Sequence, residues 1–418
     1  MRLLYTLSVY LYLFSIRVAS LHNAKAKKWL RGREDLFSRI SRDCKNETTI
    51  TWFHCASLGE FEQGRPLIEE MKKRDPACRI LLTFYSPSGY EIRKDYDKVD
   101  FVYYLPLDTP GNAVRFLDIV KPASVYIVKY EFWYNLLSEI GRRKIPAYLV
   151  SGIFRREQHF FKWYGSWFLK QLNCFTRFYV QDEASLKLLR GAGYENAVLS
   201  GDTRFDRVAS IAAESKDLPL VKAFKQDKKL MIAGSAWEKD EALIETLSLK
   251  KMGYKLLLAP HEIGQDEIKA TVARFEQKHK VICYSEANLT NVMEADVLIV
   301  DNVGMLSSLY RYGTLAFIGG GFGDGIHNIL EASVWGLPVI FGPNYRKFSE
   351  AHELIDLGAA FCIRNEDELG TVFSKLNDPL LCRGAGEVAR NYVQQKSGAT
   401  NRILLDVESA EKTPTLPA

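Results

Sequence analysis

With 418 residues the chain is too long for one ordinary hydrophobic core, and two domains are expected. Its 47% hydrophobic and 26% charged content excludes a disordered chain, and a net charge of +5 does not require a nucleic-acid partner. Seven cysteines without a CxxC pair and seven histidines without an HExxH arrangement leave no zinc-like spacing, so no metal is expected and the thiols read as reduced, in a cytosolic setting.

Leu3 to Ile16 form an apolar, aromatic-rich run. As a helix it would be about 21 Å long, short of the roughly 30 Å hydrocarbon core. Extending it through Arg17 to Leu21 would reach across only if the guanidinium snorkels. No small-x-small cleavage site follows, as a signal peptide requires. The tyrosines, and the basic segment that follows (Lys25, Lys27, Lys28, Arg31, Arg33, Arg39, Arg42 and Lys45 against three acids), favour an interfacial helix or short anchor. Residues 1–21 are therefore expected to associate with the cytoplasmic face of a membrane, the competing reading being a core helix of the first domain.

From residue 49 short apolar, β-branched runs alternate with helical stretches. Strands are predicted over 50–55, 79–85, 101–105, 124–128, 147–150, 178–181 and 197–200, then, after an Ala-, Lys- and Asp-rich stretch, over 230–233, 255–259, 281–284, 296–300, 315–318, 338–341 and 360–363. Near-continuous apolar strands separated by helices imply an α/β protein with parallel sheets covered on both faces. The expected division is a first doubly wound domain over 22–206, a linker over 207–228, a second doubly wound domain over 229–385, and a last helix over 386–411 that is a candidate to cross back. Such domains place ligands at the carboxyl ends of their strands.

The chemistry-bearing residues fall at those ends. Ser57 and Glu60 follow the first strand and match an S-x-x-E capping box, which by itself needs no function. Gly64 and Pro66 sit awkwardly inside a helix, however, and a helix beginning near Pro66 would leave Glu60 in a loop as a candidate catalytic carboxylate. Glu131, among aromatics in Lys129-Tyr130-Glu131-Phe132-Trp133, reads as a site acid or a rim residue. Arg204, in Gly201-Asp202-Thr203-Arg204-Phe205-Asp206, reads as a solvated cation or as a fork for an anionic substrate. Ala259-Pro260-His261-Glu262 and Asp301-Asn302-Val303-Gly304-Met305 follow later strands. The densest signal is Gly319-Gly320-Gly321-Phe322-Gly323-Asp324-Gly325 leading into Ile326-His327-Asn328-Ile329-Leu330-Glu331. A strand, a glycine turn and a helix start are the parts of a phosphate site; a tight connection without a ligand is the alternative.

In order and approximate spacing these stretches, from the apolar N-terminus to about residue 400, resemble the bacterial 3-deoxy-D-manno-octulosonic acid (Kdo) transferases of lipopolysaccharide assembly. The resemblance implies the GT-B fold, two facing Rossmann-like domains with a cleft between them. It further implies a CMP-Kdo donor, a lipid A precursor as acceptor, an inner-membrane location and no metal or other cofactor. Carried over residue by residue, Glu60 would be the general base, with Glu131 and Arg204 stabilising the transition state, Arg204 standing where the family often has Lys. Pro260, His261, Val303, Gly304 and Met305 would contact the nucleotide, together with Asn328, Ile329, Leu330 and Glu331. Many members have Arg in place of His261 and an acid in place of Met305. Gly320 and Gly321 complete the predicted donor site. Displacement in one step would invert the anomeric centre, with charge developing on the departing CMP and a carboxylate taking the acceptor's proton. A helix start near Glu60 is expected to keep it ionised. The rival readings are another GT-B transferase or epimerase using a UDP-sugar, or a non-catalytic membrane-surface nucleotide-binding module.

Overall fold

The computed structural model describes residues 1–45, 47–129 and 131–412. The chain forms two compact units, one of residues up to Arg207 together with the segment from Gly398, the other Val208–Ser397. The division falls at the front of the segment expected as a linker, which carries the helices Thr203–Glu214 and Pro219–Lys225.

The first unit is built on seven parallel strands: β1 (Ile50–Cys55), β2 (Arg79–Phe84), β3 (Phe101–Tyr104), β4 (Pro122–Val128), β5 (Ala147–Gly152), β6 (Arg177–Val180) and β7 (Ala197–Leu199), in the order β3-β2-β1-β4-β5-β6-β7. All six residues of β1 are buried. Because successive side chains point to opposite faces, Trp52 joins the core on one side while Phe53 stacks on Tyr126 at 4.6 Å on the other. The chain leaves β1 toward β2 and β3, then returns to place β4 on the other side of β1. This reversal opens a crevice past the carboxyl ends of β1 and β4, the usual ligand position of a doubly wound sheet.

The last helix, Ala399–Lys412, closes this same unit, with Ile403, Leu404 and Val407 buried in the core under β1 and β2. Its start is capped from a distance. Asp206 accepts hydrogen bonds from the N–H groups of Gly398 and Thr400 and from the Thr400 hydroxyl. Arg402 donates to the Ser200 carbonyl at 2.9 Å.

The second unit holds β8 (Lys229–Ala236), β9 (Tyr254–Pro260), β10 (Val281–Cys283), β11 (Val297–Ile299), β12 (Leu315–Ile318), β13 (Val339–Phe341) and β14 (Ala360–Cys362). Its order is β10-β11-β9-β8-β12-β13-β14, again wholly parallel, and the reversal lies between β8 and β12. Every predicted strand is present, with ends displaced by at most a few residues.

The apolar N-terminal run is a helix, Arg2–Ala19. One side packs on the first unit: Val9 is buried with Trp29 and Leu107, and Tyr5, Leu13 and Ile16 pack around them. The other side leaves Leu3, Leu4, Leu7, Leu11 and Phe14 more than half exposed. The core-helix reading thus holds for the packed side alone, and the other side is left exposed. Among the described residues no helix is long and apolar enough to cross a membrane.

Candidate functional site

Glu60 does not lie in a loop. The helix Leu58–Arg74 begins directly after Ser57, and the Ser57 N–H donates to Glu60 Oε2 at 3.1 Å. Pro66 is inside this helix and buried, so the backbone bond from its position is absent. Packing explains why the helix nevertheless runs on. At Gly64 a Cβ would come 3.1 Å from Val128 Cγ2 and 3.2 Å from Cys55 Sγ, so the glycine lets the helix press close against β1 and β4. The close apolar packing there offsets the imperfect helix interior.

The helix start was expected to keep Glu60 ionised, and here too the structure differs. The Glu60 carboxyl is pushed up to about 7, first by burial and then by the charge of Glu131. The amides of Ala56 and Ser57, and Lys129, oppose this shift only in part. A carboxyl that titrates near neutrality is well matched to general-base work.

Glu131 follows β4 as Glu60 follows β1, so the topology brings the two acids to one crevice; Tyr130 lies outside the described residues. Beside Glu131 stands His54, buried at the end of β1, with Nε2 at 3.6 Å from Glu131 Oε2. The hydrogen bonds around this ring assign its tautomer. The Trp133 indole N–H donates to Nε2 at 3.2 Å, so Nδ1 carries the hydrogen and donates it to Thr83 Oγ1 at 2.9 Å. Thr83 Oγ1 also accepts from the Trp52 indole at 2.8 Å, and its own hydroxyl points to the Phe53 carbonyl. Each polar atom of this buried set has a partner.

Arg204 opens the helix Thr203–Glu214, and its Nε donates to Asp202 Oδ2 at 2.7 Å. Thr203 anchors that helix by donating to the Gln63 carbonyl at 2.6 Å, one turn beyond Glu60. Arg204 is thereby held at the same end of the sheet as the acids.

In the second unit Pro260 ends β9 and the His261 N–H donates to the Ala236 carbonyl at 2.8 Å. The His261 ring stacks on Trp237 at 4.1 Å and lies 4.7 Å from His327, whose Nε2 accepts from the Trp237 indole at 3.4 Å. Val303, 79% exposed, and Gly304, with φ of 91°, form a turn that leads through Met305 into the short helix Leu306–Leu309. Asn328 accepts from the Leu330 N–H and donates to Glu331 Oε1 at 3.1 Å, while the Ser307 hydroxyl donates to Glu331 Oε2. Ile329 and Leu330 are buried apolar side chains, so any contact they make with a ligand falls to their backbone.

The glycine turn itself is occupied by protein. A Cβ at Gly319 would lie 2.1 Å from the Ser235 carbonyl oxygen, and one at Gly321 would lie 2.5 Å from the Gly342 nitrogen. Gly320 has φ of 88°, and its N–H donates to Asp240 Oδ2 at 3.0 Å. The expected helix after the turn spans only Leu330–Ser333, too short to carry much of a dipole. The helix start that faces the glycines is instead that of Glu238–Glu245, and its buried Asp240 takes the anion's place. Asp240 and Trp237 carry no local motif, and His54 and Trp133 stand beside the acids in sequence with no role of their own; partners about 80 residues away give them their roles. Among the described residues no group of three or more His, Cys, Asp or Glu is placed to hold a metal ion.

Comparison with known proteins bears on the fold and the family. Solved structures of UDP-N-acetylglucosamine 2-epimerase, including one from Neisseria meningitidis bound to UDP-GlcNAc, match 87–88% of the chain with TM-scores of 0.60–0.61 at 13–15% identity. Acinetobacter baumannii MurG matches 87% with a TM-score of 0.54 at 12% identity. At such identities the likeness speaks for the fold alone, and the fold is GT-B as expected. Residues 31–207 match the family model described as 3-deoxy-D-manno-octulosonic-acid transferase (kdotransferase). The enzyme of that name from Aquifex aeolicus is 31% identical over 79% of this chain and 87% of its own length. That of Haemophilus influenzae is 27% identical over 73% of each. With the GT-B fold and these relatives in agreement, the chain belongs to the family of 3-deoxy-D-manno-octulosonic acid transferases, glycosyltransferases that move Kdo in lipopolysaccharide core assembly.

Proposed function

We propose that the protein transfers Kdo from CMP-Kdo to a lipid A precursor, lipid IVA, at the cytoplasmic face of the inner membrane, with inversion and without a metal ion. The observation that carries the chemistry is Glu60, a half-buried carboxyl near a second acid at the switch point of β1 and β4 and poised near pH 7. Glu60 accepts the proton of the attacking sugar hydroxyl. That oxygen forms the new bond to the anomeric carbon while the bond to the CMP phosphate oxygen breaks, and its electron pair leaves with CMP. Glu131 and Arg204 stabilise the charge that redistributes in the transition state. On the donor side Pro260, His261, Val303, Gly304 and Met305, with Asn328 to Glu331, hold the nucleotide, and the Glu331 carboxylate is the partner for ribose hydroxyls. The exposed apolar face of the helix Arg2–Ala19, followed by a basic segment, supports docking on an anionic bilayer surface.

The test is incubation with CMP-Kdo and lipid IVA in detergent, with and without EDTA. Kdo-lipid and CMP are expected in equal amounts, and EDTA should leave the rate unaltered. Turnover of UDP-sugars with none of CMP-Kdo would sink the donor assignment, and turnover onto a water-soluble sugar alone would sink the lipid acceptor.

A further inference from the structure

The N-terminal helix does more than expose an apolar face. Its first turns reach a buried carboxylate that stands outside the transfer chemistry. The Tyr5 hydroxyl donates to Asp108 Oδ2 at 2.6 Å, and Arg2 Nε donates to Asn135 Oδ1 at 3.0 Å. Asp108, 3% exposed, also accepts from the N–H groups of Asn135 and Leu136 at 3.0 and 2.9 Å. Those two amides belong to the first turn of the helix Tyr134–Arg142, whose own N-cap residue, Trp133, provides no side-chain cap. Asp108, from beyond β3, therefore caps this helix across the fold, and the Tyr5 hydroxyl completes the carboxylate's set of donors.

Between β4 and that helix lies the short connection that carries Glu131. At its start the Lys129 N–H bonds to the Val150 carbonyl at 2.9 Å, with Lys129 at a φ of 62° that side chains rarely adopt. At its end the Asp108 cap fixes Asn135 and Leu136, and Trp133 bonds to His54. Described residues on either side of Glu131 are thus tied to the fold, and one of these ties is bonded by the N-terminal helix. A second contact runs in parallel. Tyr12 of the same helix stacks on Tyr85 at 6.3 Å, and Tyr85 lies 4.3 Å from Trp133.

We propose that the N-terminal helix is a positioning element of the transferase site, in which Tyr5, through Asp108, fixes the connection that holds Glu131 beside Glu60. The inference goes beyond membrane docking and rests on the transfer reading only where activity is measured. It carries a signature that a merely structural helix would lack. The groups acting on Glu60 are Glu131, Lys129 and the amides of Ala56 and Ser57, and of these Glu131 alone raises its titration. If the Glu131 connection loosens, that contribution weakens and Glu60 titrates lower.

The experiment compares the full-length wild type with Tyr5→Phe and, as a milder change at the exposed end of the latch, Arg2→Ala. For Tyr5→Phe, kcat is expected to fall about three- to tenfold, as for loss of one donor to a buried carboxylate. KM for CMP-Kdo should stay within about twofold, and the acid limb of kcat/KM should move to lower pH. Arg2→Ala should shift both in the same direction by less. Hydrogen exchange read on peptides covering residues 131–137 should be faster in both variants, a readout that does not depend on which donor or acceptor is used. Wild-type kcat in Tyr5→Phe, or an unmoved acid limb, overturns the proposal. So does unchanged exchange over 131–137, even if no CMP-Kdo turnover were found; wild-type turnover in the same series separates that failure from a failure of the transfer reading.

Discussion

The two sheets put their distinctive residues at equivalent places, past the reversal of strand order, yet build unlike sites there. In the first unit the crevice between β1 and β4 is furnished with side chains, namely two acids, a histidine whose tautomer is fixed, and an arginine held by Asp202. In the second, the ends of β8 and β12 are shaped by main chain: Gly319 lies against Ser235, Gly321 against Gly342, and the Gly320 amide meets Asp240. The first arrangement suits the proton transfer proposed for it, which needs a titratable group in an environment that shifts it. In the second the glycine backbone is already engaged by protein, so its close approach serves the packing of the unit. Both units store local strain at the same level of the sheet. Lys129, Ser151 and Ser235, none of them glycine, take positive φ at the carboxyl ends of β4, β5 and β8.

The largest effect is expected from Glu60→Gln, which keeps the shape of the side chain and removes the base. Transfer should fall by a factor of about 10³ or more, while CMP binding, proposed for the other unit, is expected to stay near that of the wild type. The same change should alter stability with a definite sign. The folded-state carboxyl titrates near 7 against 4.5 for the exposed group. Stability is thus fully present below pH 4.5 and is lost as pH rises toward and through 7, because the folded state must give up a proton that it holds more tightly than the unfolded chain. Glu60→Gln should therefore unfold at higher denaturant than the wild type at pH 8, by on the order of 3 kcal/mol at most, and match it at pH 4. Equal stability at both pH values would show that Glu60 is not perturbed, and would break the contrast between the units at its centre.

Glycine substitutions probe the main-chain side of the contrast. Gly319→Ala would drive a methyl group into backbone atoms, the Ser235 oxygen at 2.1 Å and Ala236 Cα at 2.7 Å, and these cannot swing aside as a flexible side chain would. A loss of about 1–3 kcal/mol is expected, with weakened CMP binding. Gly59→Ala makes the opposite prediction in the first unit. Nothing lies within 4 Å of a Cβ there, and the position is inside a helix, so about 0.5–1 kcal/mol should be gained. Urea titrations of the two variants at pH 7 decide the matter; effects of the same sign would show that the turn glycines do not differ in kind from the helix glycine.

How far the sequence disclosed this arrangement depended on the distance between partners. The strands were legible because burial on both faces demands apolar, β-branched runs, as in Leu315–Ile318 and Ile50–Cys55, found over the residues predicted. Glu60, Glu131 and Arg204 were legible as candidates because strand ends are where doubly wound sheets keep their ligands. Of the two readings around Glu60 the capping box holds and the loop does not, because Gly64 looks wrong locally and makes sense only against Cys55 and Val128. The phosphate-turn reading was built from local features too. It could not foresee that Asp240, 80 residues earlier, meets the Gly320 amide, or that Tyr5 would find Asp108 across 103 residues. A buried polar group declares its partner only in three dimensions, since the need is for any donor in reach and not for one at a fixed spacing.

The smallest loss tests how the first unit, unlike the second, is completed by chain from far along the sequence. Asp206 receives two amides and a hydroxyl at the start of the helix Ala399–Lys412, the arrangement of an N-cap supplied by a residue almost 200 positions away. Asp206→Ala removes all three acceptor contacts at once, but the helix keeps Ile403, Leu404 and Val407 in the core. The expected loss is about 1–2 kcal/mol, that of a good cap and well below that of stripping the helix away. Hydrogen exchange should quicken over 398–404 and leave the strands of the second unit as they were. Equal quickening in both units would mean that the returning helix holds the whole chain together, and not only the sheet that carries the acids.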